Sequence, residues 1–65
     1  MTVIFDALDI QNDSMTVEVL SKGNHLVTIR EGLDFAQVVF TWKQMRDLYS
    51  ALHESLIDTA HEVEQ

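Results

Sequence analysis

Sixty-five residues, a net charge of −7, no cysteine and no proline set narrow bounds. A chain this short buries only about 60% of the surface its unfolded form exposes, so it holds a fold through tight packing or association. Disulfides and thiolate zinc sites are excluded, and eleven acidic residues against four basic ones disfavour direct contact with nucleic-acid phosphates or anionic membranes.

The opening stretch, MTVIFDALDI, reads as a strand over residues 2–10. It has no positively charged start, and Asp6 and Asp9 interrupt its apolar run. It is therefore neither a signal peptide nor a membrane span, which needs roughly 18 or more apolar residues, and the chain is expected to be cytoplasmic. Asn12-Asp13-Ser14 matches the glycosylation sequon, which carries no meaning without secretion. Gln11-Asn12-Asp13-Ser14 is instead a polar turn cluster.

A second strand is expected over 15–21, where Met15, Val17 and Val19 alternate with Thr16, Glu18 and Leu20. Ser21-Lys22-Gly23-Asn24 forms the next turn. A third strand over 25–30 puts Val27 and Ile29 on one face and Leu26, Thr28 and Arg30 on the other. Glu31-Gly32 turns the chain into a fourth strand over 34–40. Connections this short favour antiparallel neighbours, because parallel strands need a crossover of a dozen residues or more.

The apolar period then changes from two to 3.6. Met45, Leu48, Leu52, Leu56, Ala60 and Val63 recur at helical spacing with Tyr49 beside them. Thr41 is a suitable N-cap, Gln44 completes a capping box, and Phe40 and Met45 occupy the two positions of a hydrophobic staple. A helix over 42–62 follows. The expected fold is α+β in one domain spanning 1–65. It is a small antiparallel sheet of four strands, three if the first segment does not pair, with one C-terminal amphipathic helix packed on one face.

If the staple ties Phe40 to the helix, parity places Val38 and Ala36 on the covered side. The outer face then carries Leu20, Leu26, Phe35 and Val39 beside Thr16, Glu18, Thr28, Arg30 and Gln37. Solvated sheet faces usually alternate more cleanly than this. Those four apolar residues are the candidate contact with another protein or a second copy of the chain.

On the helix, Asp47, Glu54, Asp58 and Glu62 form an acidic stripe away from the apolar one. A four-residue step rises about 6 Å, close in scale to the phosphate spacing of a nucleic-acid strand. The stripe is thus a candidate to imitate a phosphate backbone on a basic partner surface, against the ordinary reading of a solvated helix face. Lys43 and Arg46 in the first turn, with Glu62 and Glu64 in the last, oppose the helix macrodipole. Trp42 and Tyr49, seven positions apart at the border of the apolar stripe, are either rim of the core or interface anchors, and Ile57 is a further exposed candidate.

Enzyme chemistry is not expected. The three histidines, His25, His53 and His61, make no HExxH motif, and no two stand at i, i+4. Glu54, Asp58 and His61 share a helix side, a trio that arises readily by chance. Ser50 and His53 lack a third group and an oxyanion site. Two glycines supply no phosphate-cradling loop, and the domain has little room for a substrate pocket. No cofactor or metal is assigned.

The expectation for function is a small acidic protein-binding module, in its specific form a stoichiometric inhibitor whose acidic helix occupies a basic, nucleic-acid-binding site. In size and acidity the domain is similar in kind to phage-encoded inhibitors of host or defence proteins, a likeness carried by no motif. The alternative is a structural or regulatory homo-oligomer joined through the outer sheet face, with acidity serving solubility.

Overall fold

The computed structural model describes residues 2–63; Glu64, one of the last-turn acids named above, lies outside them. Four antiparallel strands, β1 (Thr2–Leu8), β2 (Ser14–Val19), β3 (His25–Glu31) and β4 (Asp34–Phe40), form one sheet in the order β1-β2-β3-β4, followed by helix α1 (Trp42–Val63). This is an α+β domain built as a meander and a single C-terminal helix.

Local chemistry sets where each strand stops. β1 ends two residues before the expected Ile10 because the Asp9 carboxylate accepts hydrogen bonds from the backbone N–H of Gln11 (2.7 Å) and of Asp13 (2.9 Å). That Asx-type turn competes with the ladder and leaves Ile10 fully exposed at its tip. β2 stops at Val19, short of the expected residue 21. The Leu20 N–H reaches the Asn24 carbonyl at 2.7 Å, closing a loop around a single 3₁₀ turn, Ser21–Gly23. Gly32, at φ +61°, is the first of two residues joining β3 to β4, the position that type II′ hairpins reserve for glycine.

The pairing register fixes which side chains share a face. One face carries three rungs running from β1 to β4: Thr2, Val19, His25 and Phe40; then Phe5, Val17, Val27 and Val38; then Ala7, Met15, Ile29 and Ala36. All but Thr2 and His25 are apolar. The opposite face alternates apolar with polar groups, for example Asp6, Thr16, Thr28 and Gln37 along one rung. The apolar face, termed the inner face, is the one a core should cover. A register irregularity between Val3 and Phe5 lets β1 keep Phe5 on it.

The helix is where the sequence puts it along the chain, but not where it was expected in space. It does not lie across the inner face. No residue of α1 is buried, with Leu52 at 52%, Leu56 at 67% and Val63 at 80% exposure, and only β4, the strand it follows, makes more than glancing contact with it. The physical reason is the connection. Thr41 alone separates β4 from α1, whereas strand-to-helix loops in packed α/β units usually take 2–6 residues.

The capping box then locks the exit direction. The Thr41 Oγ1 accepts a hydrogen bond from the Gln44 N–H (3.2 Å), and the Gln44 Oε1 accepts one from the Thr41 N–H (2.9 Å). Phe40 and Met45, the two staple positions, are half-buried among exposed neighbours. The buried apolar core is consequently small: Val17 and Val27, at 5% exposure each, sit at the centre of the inner face.

Candidate protein-interaction surfaces

Helix geometry separates two stripes. At 100° per residue, Asp47, Glu54, Asp58 and Glu62 gather on one side, and Met45, Leu48, Leu52, Leu56, Ala60 and Val63 on the other. All four acids are exposed. Asp47 differs from the rest: the Lys43 ammonium donates to its Oδ2 at 3.0 Å, and Arg46 lies 3.7 Å from its Oδ1. The hydrogen bond from Lys43, with the added charges of Lys43 and Arg46, holds the Asp47 carboxyl below its ordinary range. Asp47 is thus already matched to cations of its own helix.

Trp42 and Tyr49 flank the apolar stripe, both more than half exposed. The Arg46 guanidinium stands 5.4 Å from the centroid of the Trp42 ring, and His53 stacks on Tyr49 at 5.7 Å with the rings 17° from parallel. These i, i+4 pairs stiffen one flank of the stripe. Trp42 also anchors the helix start against the β2–β3 turn. A Cβ built on Gly23 would lie 3.2 Å from the Trp42 Cβ, and Gly23 has φ +78°, so glycine is needed there for both space and conformation. Ile57 is exposed as well.

On the outer face, Leu26 and Val39 pair across β3 and β4, and Phe35 pairs with Arg30. Leu20 lies one residue past the end of β2. Phe35 (58%) and Val39 (56%) are exposed, while Leu20 and Leu26 are half-buried. The Arg30 guanidinium covers Phe35 at 5.1 Å, and the Gln37 side-chain amide donates to the Thr28 hydroxyl at 3.2 Å. Arg30 thus lies over one side of Phe35, while Val39 stays open to solvent. The Arg30–Phe35 pair escapes a parity reading because it needs the register, which the hairpin length supplies.

The inner face has no such cover. Phe5, Ile29 and Val38 are each about half exposed at its middle. Near the β1–β2 turn it forms a shallow hollow of about 280 Å³ lined chiefly by Phe5, Ala7, Leu8, Met15 and Ile29. This bare surface is the feature that the expected helix packing would have hidden. Its sequence signal was the one-residue connection at Thr41.

Among the described residues, no group of three His, Cys, Asp or Glu side chains could hold a metal ion, and no helix is long and apolar enough to cross a membrane. Ser50, His53, Glu54, Asp58 and His61 all lie on the exposed helix. No protein-family model, no curated protein and no solved structure matches this chain.

Proposed function

We infer that this chain is a non-enzymatic protein-binding module whose apolar inner sheet face and apolar helix stripe are its working surfaces. One observation carries the reading: a helix stripe and a sheet face, each of the composition that belongs in a core, stand open to solvent. Isolated exposed apolar residues are ordinary, but contiguous patches above a few hundred Å² mark interaction sites.

The exposure of the acidic stripe favours a second reading. Glu54, Asp58 and Glu62 face away from the apolar side, so they would stay accessible with that side covered. An inhibitor that imitates phosphates on a basic, nucleic-acid-binding partner would use these three. Asp47 contributes least to it, being engaged by Lys43 and Arg46.

Two variants separate these readings in any assembly the chain enters, followed by light scattering after size-exclusion chromatography with helix content checked by circular dichroism. Under the first reading Leu52→Ser/Leu56→Ser loses the assembly, and Glu54→Gln/Asp58→Gln keeps it. The reverse pattern, with binding that weakens steeply in salt, supports acidic mimicry. Indifference to both variants contradicts both readings.

A further inference from the structure

We propose that the occupant of the inner sheet face is the helix of a second copy of this chain, exchanged reciprocally in a two-fold symmetric dimer. The proposal rests on the binding-module reading above and names its partner. Both halves of the missing contact are on one chain. The inner face offers an apolar sheet surface centred on Phe5, Val17, Val27 and Val38, and α1 offers a stripe centred on Leu52 and Leu56. Sheet and helix normally close a core by covering one another. Within one chain the single residue Thr41 and its capping box hold them apart. Short hinges of this kind favour exchange between copies, where the same pairing forms twice around a two-fold axis.

The dimensions agree. A 22-residue helix is about 33 Å long, enough to cross a sheet whose seven-residue strands run about 23 Å. The chain exposes 5566 Å², whereas a compact monomer of 7.5 kDa should expose about 4,200 Å². The excess of about 1,300 Å² per chain exceeds the ~800 Å² each partner gives to a standard interface, and doubled it falls in the range of obligate homodimers.

Charge permits the union of two chains at −7 each. The helix side that would face the partner carries no acid, and His25 is the one titratable group in the three rungs of the inner face. The acids of that face lie at one end of it: Glu31 pairs with Asp34 beyond the Ile29–Ala36 rung, and Asp9 and Asp13 border the hollow. Glu54, Asp58 and Glu62 point outward, so repulsion acts across the full dimer and is screened by salt.

Complementation tests the exchange. The 65-residue chain is expected to have the mass of two copies by light scattering. A helix variant, Leu52→Ser/Leu56→Ser, and a sheet variant, Phe5→Ser/Val38→Ser, are each expected to be monomeric, because every helix–sheet contact is damaged. Mixed in equal amounts they should recover a one-to-one species, since one of its two contacts pairs an intact helix with an intact sheet. A wild-type dimer whose two variants fail to complement overturns helix exchange while leaving the binding-module reading standing. A wild-type chain that is monomeric at high micromolar concentration overturns the proposal and leaves the apolar surfaces to a different protein. If the double variants lose their circular dichroism, dissociation constants of single variants replace them. Leu52→Ala and Val38→Ala should each weaken the dimer about tenfold, and Phe35→Ala on the outer face should not. The opposite ranking overturns the proposal.

Discussion

Thr41 does two jobs at once. As the single residue between β4 and α1 it ends a strand, and as an N-cap it satisfies an otherwise orphaned backbone N–H. Thr41→Ala should lower stability by ~1 kcal/mol, read as a reduced melting temperature with the sheet signal retained. Gly23→Ala should be worse than an ordinary glycine substitution. It adds a left-handed backbone cost of about 1–2 kcal/mol to a close approach at Trp42. Loss of stability together with a change in Trp42 fluorescence is the expected signature. Asp47 contributes to the acid dependence of the helix. Its folded-state pKa lies below the ordinary value of 3.8 through the Lys43 hydrogen bond and the nearby cations. The stabilisation is therefore fully present above the unfolded value and is lost as pH falls through the lowered one. Helix content followed by circular dichroism should fall in that acid window, and Lys43→Ala should remove most of Asp47's share of the titration.

At the scale of elements, the sequence states its local structure clearly. Alternation in Met15–Val19, the Gly32 turn and the Thr41–Gln44 box are each decided by neighbours within four residues, and each has its counterpart in the strands, hairpin and cap. Parity from Phe40 even separated the two sheet faces correctly, because a hairpin of fixed length transmits register from strand to strand. What parity could not carry was the placement of α1 over the sheet. An amphipathic helix beside an apolar sheet face signals that the two want cover, not that they cover each other within one chain. The candidate sites divide the same way. The acids of α1 were legible as one stripe from their spacing, whereas the tie of Asp47 to Lys43 and the cover of Phe35 by Arg30 depend on side-chain contacts. Arg30→Ala should accordingly expose Phe35 further and cost about 0.5–1 kcal/mol, measured by denaturant unfolding.

The whole molecule is an open form. Its radius of gyration is 13.8 Å and its extents are 39 × 30 × 16 Å, while 65 residues packed compactly should give about 11 Å. Among the described residues only two apolar side chains, Val17 and Val27, are buried, a small core for a chain by itself. If stability comes from association, melting must depend on concentration. A hundredfold rise should lift the melting temperature by about 10 °C. Small-angle scattering over a concentration series separates the exchanged dimer from the open single chain. Two chains closed around each other as a compact particle should give twice the 7.5 kDa mass at a radius of gyration of about 14 Å, no larger than the single open chain. Forward scattering that stays at the mass of one chain across the series would contradict it.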